Sequence, residues 1–127
     1  MNFLGVDFGL RKIGIAISYG ELIQPLGVFL NSPRIFSLIS KICRENEVRK
    51  IVIGFSQGNL LPKVKEFSQR LSLETGLSID FQDETLTSKE AIAKMIEGGI
   101  KKRKRKKLED AVAAACILKE YLIRKEG

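Results

Sequence analysis

Histidine is absent from the 127-residue chain, and cysteine occurs only twice. Without histidine, no imidazole is available as a general base, as the partner of a nucleophile or as a metal ligand. Cys43 and Cys116 lie in helix-like stretches and are too few and too far apart for a zinc site. We expect them to be free thiols of a reducing cytoplasm, with a disulfide as the alternative. Any chemistry must therefore rest on carboxylates, lysines, hydroxyls or a bound ion.

Long apolar stretches are missing as well. The longest unbroken one is Ala111–Leu118, which is far short of a membrane span. The N-terminus also lacks the basic start and the apolar stretch of a signal peptide. Apolar residues nevertheless make up 44% of the chain, which is enough for a packed core. We therefore expect a cytoplasmic protein without a membrane partner, folded as a single domain over residues 1–127.

Positive charge is concentrated in one stretch of seven cations, KKRKRKK, called here the basic segment. The net charge is +7, and outside this segment the 15 basic residues equal the 15 acidic ones in number. The segment predicts a polyanionic partner, recognised by backbone or shape because no base-reading pattern is present. Mutual repulsion predicts a mobile loop that orders on phosphates, and a loop that aids solubility is the alternative. The predicted nucleic-acid contacts in this segment are Lys101, Lys102, Arg103, Lys104, Arg105, Lys106 and Lys107.

Hydrophobic periodicity predicts an α/β fold. Three strands joined by short turns come first, which is typical of an antiparallel meander. Helices and buried strands then alternate, which indicates crossover connections between parallel strands. The pattern predicts a five-stranded mixed sheet, formed by a three-strand antiparallel meander plus two parallel strands, with helices on both faces. The predicted strands are 2–8, 13–19, 22–30, 50–55 and 77–82, and the predicted helices start near residues 33, 62, 87 and 106.

Acidic residues stand at the ends of several predicted elements. Asp7 ends the first strand, and Asp110 opens the last helix. Asp83 and Glu84 follow the fifth strand, whereas Asp80 lies within it and is expected to face solvent. If the first strand is central, the acids at the element ends converge and repel one another. Mg²⁺ or Mn²⁺ relieves this repulsion, and two such ions about 3.5–4 Å apart can clamp the reacting oxygens of a phosphodiester.

Local explanations remain for the same residues. Asp7 could serve the turn that follows it, and Asp110 could occupy the positive first turn of its helix. Arg11 and Lys12 in the first turn fit phosphate contact and simple solvent exposure equally well. The small residues of 111–116 allow the last helix to approach the sheet closely, which would hold Asp110 near Asp7.

The chain contains three motifs in a characteristic order: GVDFGLRKIGIA (5–16), DETLTSKEA (83–91) and EDAVAAACIL (109–118). Together they resemble the YqgF/RuvX family, and the likeness runs from residue 2 to about residue 123. The resemblance implies an RNase H-like fold and a metal-dependent nuclease. Members are described as Holliday junction resolvases and as nucleases that mature the 5′ end of 16S ribosomal RNA. The implied metal ligands are Asp7, Asp83, Glu84 and Asp110, and the implied catalytic residues are Asp7, Glu84 and Asp110.

Two positions depart from the family pattern. The stretch FSQGNLLPKV (55–64) replaces the family's usual loop after the fourth strand, and Thr85 stands where the family has an arginine. An arginine at this position would be suited to binding phosphate. We therefore expect the two departures to affect substrate contacts rather than the metal ligands.

Three hypotheses about function follow. The favoured one is a metal-dependent nuclease acting on structured RNA, with processing of the 5′ end of pre-16S ribosomal RNA as its role in ribosome biogenesis. The second is a Holliday junction resolvase acting on branched DNA, which needs paired active sites and hence a homodimer. The third is a non-catalytic nucleic-acid-binding module, motivated by Thr85 and the altered loop. It predicts salt-sensitive binding without metal dependence.

Overall fold

The computed structural model describes residues 1–55, 58–83 and 102–126. Within these ranges the predicted elements are present, and the helix expected near residue 87 lies outside them. A short 3₁₀ turn, Gly58–Leu60, precedes the second helix. The strands are β1 (Asn2–Asp7), β2 (Lys12–Tyr19), β3 (Leu22–Leu30), β4 (Val48–Phe55) and β5 (Ser78–Asp83). The helices are α1 (Ile35–Glu45), α2 (Leu61–Thr75) and α3 (Lys102–Glu126).

The strands form one mixed sheet in the order β3-β2-β1-β4-β5. β2 pairs antiparallel with both β1 and β3, because tight turns join these strands in sequence. β4 pairs parallel with both β1 and β5, because α1 and α2 carry the chain back across the sheet. The predicted five-stranded mixed sheet is confirmed, and β1 is its central strand.

Side chains alternate between the two faces of β1, and each face has its own core. Leu4, Val6 and Phe8 belong to the main core, on the face covered by α1 and α2. Gly5 faces the second core, where Ala114 and Leu118 of α3 pack against the sheet. The predicted placement of helices on both faces is therefore confirmed.

The basic segment differs from the expected loop. The backbone is helical from Lys102 onward, so residues 102–107 form the first turns of α3. Lys101 lies outside the described residues. Lysine and arginine are good helix formers, and a helix distributes successive side chains around its axis, so adjacent like charges do not exclude helical structure. The predicted start near residue 106 was too late by about one turn.

Cys43 is buried and Cys116 is half-buried, and the two are not joined by a disulfide. The disulfide alternative is therefore wrong. None of the helices in the described ranges has the length and apolar character that crossing a membrane requires.

Candidate active site

Asp7 is the last residue of β1 and lies at the middle of one edge of the sheet. Its neighbours across the ladder are Gly14 on β2 and Gly54 on β4, neither of which has a side chain. The backbone N–H of Phe8 donates to the carbonyl oxygen of Gly54 at 3.0 Å, which extends the parallel pairing beyond Asp7. Alternation along β1 places Asp7 on the α3 face, like Gly5. The half-buried Asp7 therefore stands between two residues that present no side chain.

Asp110 meets this edge from α3. A Cβ atom built on Gly14 would overlap the backbone carbonyl of Asp110, so the helix touches β2 directly at this point. A similar contact at Gly5 brings the carbonyl oxygen of Ala114 within 2.7 Å of such a Cβ. Directly opposed residues of antiparallel strands lie about 5 Å apart, so Gly14 links Asp110 to Asp7. The structure thus brings two of the predicted acids together through glycine contacts.

Asp83 ends β5 at the same edge of the sheet, opposite Phe55 of β4. β4 separates it from β1, so its backbone is two strands away from Asp7. Glu84, the remaining predicted ligand, lies outside the described residues. Within the described ranges, no group of three acidic or cysteine side chains is close enough to hold a metal ion. The ligand roles of Asp7, Asp83, Glu84 and Asp110 stay predictions.

Gln82 lies in the same cross-strand row as Asp7. The register pairs Asp7 with Gly54 and Gly54 with Gln82. The side chain of Gln82 is 8% exposed, and its Oε1 atom has no hydrogen-bond partner among the residues that the structure describes. Gln82 was not predicted from the sequence, because a single glutamine in a short strand is indistinguishable from a solvent-facing residue. Carboxylate and amide oxygens are the donors that Mg²⁺ and Mn²⁺ prefer, so the residues at this edge fit such a cation.

The first turn ends at Arg11, and Lys12 follows it as the first residue of β2; both side chains are exposed. Asn31, just after β3, holds this turn in place. Its backbone N–H donates to the carbonyl oxygen of Arg11 at 2.8 Å, and its Nδ2 donates to the carbonyl oxygen of Gly9 at 2.9 Å. The turn is therefore fixed beside Asp7, with both cations directed to solvent. Asn31 was also missed, because the partners of a loop amide are far away in sequence.

The first turns of α3 extend past the edge where Asp7 lies. α3 runs from Asp110 at this edge toward Tyr121, whose ring centroid lies 6.1 Å from that of Phe3 near the start of β1. The helix begins eight residues before Asp110, at Lys102. At about 1.5 Å per residue, these turns reach about 12 Å beyond the sheet contact. The backbone of the basic segment therefore projects from the edge that carries the acids.

Asp80 faces solvent only in part, because its side chain is 38% exposed and also has partners within the protein. Its Oδ2 atom accepts hydrogen bonds from the Tyr121 hydroxyl of α3 and from Nζ of Lys50, the latter at 3.2 Å. Burial and the hydrogen bond to Asp80 raise the pKa of Tyr121. The hydrogen bond to Asp80 also raises the pKa of Lys50. Asp80 therefore ties α3 to the sheet at a distance from the Asp7 row.

A family model and the named relatives below agree on the family to which this chain is similar. The RuvX family, described as Holliday junction resolvase, matches residues 1–124. A relative from Agathobacter rectalis named "Putative pre-16S rRNA nuclease" is 36% identical, over 96% of this chain and 94% of its own length. Relatives with the same name from Desulfitobacterium hafniense (strain DSM 10664 / DCB-2) and Clostridium botulinum (strain Hall) are 35% and 39% identical. They cover 96% of this chain and 92% and 96% of their own lengths.

Two solved structures have a similar fold. RuvC of T. thermophilus, in complex with a Holliday junction substrate, superposes with a TM-score of 0.62 at 20% identity, covering 98% of this chain and 96% of that chain. The fowlpox virus Holliday junction resolvase gives a TM-score of 0.62 at 16% identity, with 98% and 99% coverage. At these identities the likeness concerns the fold alone. It confirms the RNase H-like architecture that the motifs implied.

Proposed function

Since the chain belongs to the RuvX family, we propose that it is a metal-dependent nuclease that processes the 5′ end of precursor 16S ribosomal RNA. The RNA substrate comes from the name shared by its relatives. The observation that carries the proposal is the contact at Gly14, which brings Asp110 of α3 to Asp7 of the central strand. The same proposal includes a role in ribosome biogenesis, a cytoplasmic location and a single nuclease domain over residues 1–127.

Asp7, Glu84 and Asp110 are the proposed catalytic ligands of Mg²⁺ or Mn²⁺. Of the two adjacent acids that the family resemblance offers as the third ligand, we prefer Glu84 to Asp83. When bound, the divalent cations would activate water and stabilise charge on the phosphodiester oxygens. The carboxylates hold the cations in place, and the absence of histidine leaves them as the available donors of this type.

Nucleic acid would be held by cations on two sides of these acids. Arg11 and Lys12 project from the end of the turn that Asn31 fixes, and the first turns of α3 extend from the same edge. Cations at such positions bind phosphates without reading bases, which suits a structured substrate. Substrate strands would therefore cross the sheet edge at Asp7 between the first turn and the basic segment.

The Asp7→Asn variant tests the metal-dependent mechanism. Asparagine keeps the size of the side chain but removes its charge, so we expect cleavage to fall by roughly 1,000-fold or more, in line with the several kcal/mol that a metal site contributes. Nucleic-acid affinity should change by less than about threefold, because phosphate contacts dominate binding. The readouts are a gel-based cleavage assay with Mn²⁺ and a binding titration without it.

Asp80→Asn is the matched control, because Asp80 lies outside the proposed site and asparagine still accepts the Tyr121 hydrogen bond. We expect this control to cleave at nearly the parent rate. The proposal would be refuted by an Asp7→Asn protein that cuts as fast as the parent with Mg²⁺ or Mn²⁺ present.

Resolution of Holliday junctions is a second candidate function, because the RuvX family carries that description. The parent protein should be offered precursor ribosomal RNA and a four-way DNA junction side by side. Preferential cutting of the RNA supports the first candidate. Symmetric paired cuts in the junction, together with a homodimer on the substrate, support the second.

A further inference from the structure

Gln82 is a buried polar side chain with an unsatisfied acceptor. Its exposure is 8%, and Oε1 has no hydrogen-bond partner among the described residues. Folded proteins satisfy nearly all buried polar atoms, because an unpaired acceptor loses its contacts with water and gains nothing in return. A bound water or ion is one recognised explanation for such an atom.

The position of Gln82 shows where its oxygen can act. Asp80, two residues earlier on β5, bonds to Tyr121 of α3, so Asp80 and Gln82 both belong to the α3 face of the sheet. Asp7 lies on the same face and in the same cross-strand row, with Gly54 between them. Two strand spacings separate the backbones of Asp7 and Gln82 by about 10 Å. Because Gly54 has no side chain, nothing from β4 fills the space between the carboxylate and the amide.

We propose that Gln82 supplies a neutral oxygen to the hydrated divalent cation that Asp7 holds. This inference rests on the proposed function and names a further residue of that same site. An amide carbonyl is a good partner for such a cation or for water bound to it, because hard cations take oxygen ligands. A neutral oxygen also completes the donor set without adding another negative charge beside the acids.

The test is Mn²⁺ binding by the Gln82→Met variant, measured without nucleic acid. Methionine has a similar length but lacks the oxygen, so we expect the Kd for Mn²⁺ to rise by about tenfold or more, as when partners of metal sites are removed. Electron paramagnetic resonance of free Mn²⁺ gives the Kd independently of cleavage. Metal-free thermal stability should stay equal or increase, because the substitution removes an unsatisfied buried oxygen.

Two further variants make the result specific. Gln69→Met, at an exposed position of α2 on the opposite face of the sheet, should bind Mn²⁺ like the parent. Gln82→Glu adds a charged oxygen at the same position and should lower the Kd for Mn²⁺ by several-fold.

The outcomes separate the two proposals. If the parent binds Mn²⁺ and Gln82→Met binds it equally well, the role of Gln82 is refuted and the nuclease proposal stands. If the parent binds no Mn²⁺ and does not cleave, both proposals fall. Gln82→Met could also bind Mn²⁺ more weakly and be less stable than the parent without metal, while Gln82→Glu binds Mn²⁺ no more tightly than the parent. In that case Gln82 has a structural role and the inference is overturned.

Discussion

Cys43 illustrates how a single buried group responds to pH. The residue is 4% exposed within the main core, and desolvation raises the pKa of its thiol from 9.0 to about 11. The folded state therefore holds this proton more tightly than the unfolded chain does. The stability contributed by the neutral thiol is complete below pH 9 and is lost as the pH rises through about 11.

We expect native Cys43 to resist iodoacetamide at pH 8, because the thiolate is scarce and buried. The same residue should label readily in urea, and mass spectrometry of peptides distinguishes it from Cys116. Urea unfolding should also show a loss of stability between pH 9 and pH 11 that is smaller in Cys43→Ala. Equal labelling rates for Cys43 in the native and denatured protein would contradict this account.

Individual site residues were predictable from the sequence to different degrees. Asp7 was predicted as a ligand because it stands at the end of β1 inside a recognisable motif. Asp110 was predicted from its motif and from an expected place at the start of the last helix, but α3 begins at Lys102, so Asp110 lies inside the helix and the alternative role in its first turn is wrong.

Gln82 and Asn31 were not predicted, since their importance depends on neighbours that only strand register and loop packing reveal. The partners of Asp80 were not predictable for the same reason, because the hydroxyl of Tyr121 reaches it from another element.

At the scale of elements, the position of α3 depends on small residues at its contact with the sheet. The helix presents alanines at 111, 113 and 114, which are fully or almost fully buried. The sheet presents Gly5 and Gly14, where an added Cβ would strike α3. Small side chains on both surfaces permit this close approach, and the approach sets where Asp110 lies.

The Gly14→Ala variant tests this contact. Its methyl group would overlap the Asp110 carbonyl, which is backbone and cannot rotate away. We expect a loss of about 1–3 kcal/mol in unfolding free energy, as overpacking usually costs. The relative loss of Mn²⁺-dependent cleavage should be larger than the relative loss of stability, because Asp110 is displaced from Asp7.

Gly27→Ala is the matched control, since an added Cβ there would meet only the ring edge of Phe29, at 3.3 Å. We expect this variant to retain nearly full cleavage. If Gly14→Ala has the same unfolding free energy and the same cleavage rate as the parent, α3 adapts to the methyl group without displacing Asp110.

Most elements were predictable, whereas the start of α3 was not. Hydrophobic periodicity located the strands and α1, because each buries one or both faces. The basic segment has no apolar residues, so hydrophobic periodicity gives no signal there. Repulsion between its charges therefore suggested a loop. The helical backbone from Lys102 shows that propensity and continuity with α3 prevail over that repulsion.

At the scale of the whole molecule, charge is distributed unevenly. The basic segment accounts for the net charge of +7, and it projects from the edge that carries Asp7 and Asp110. Cations at the start of a helix oppose its dipole, so this arrangement lowers the stability of α3 in the free protein. Bound phosphates would offset that cost, which is consistent with a nucleic-acid interface.

Replacing Lys102, Arg103 and Lys104 by glutamine should weaken nucleic-acid binding. If all three contact phosphates of a duplex, the slope of log affinity against log salt becomes shallower by about 2.7. Thermal stability should stay equal or rise, because three charges that oppose the helix dipole are removed. Binding titrations at four salt concentrations and a melting curve measure both effects.

The matched control replaces three exposed cations elsewhere on the molecule, Lys41, Arg49 and Lys65, by glutamine. The control removes the same amount of charge. If the slope of log affinity against log salt changes equally in both triple variants, a specific role for α3 is contradicted.

The continuity of α3 has a further consequence. One unbroken helix carries both the basic segment and Asp110, so a ligand that repositions the first turns also repositions a carboxylate of the proposed metal site. Occupancy by nucleic acid and occupancy by divalent cations are then thermodynamically linked. If nucleic acid raises the affinity for the cation by some factor, the cation raises the affinity for nucleic acid by the same factor. An enzyme built in this way would assemble its full ligand set chiefly when its substrate is in place.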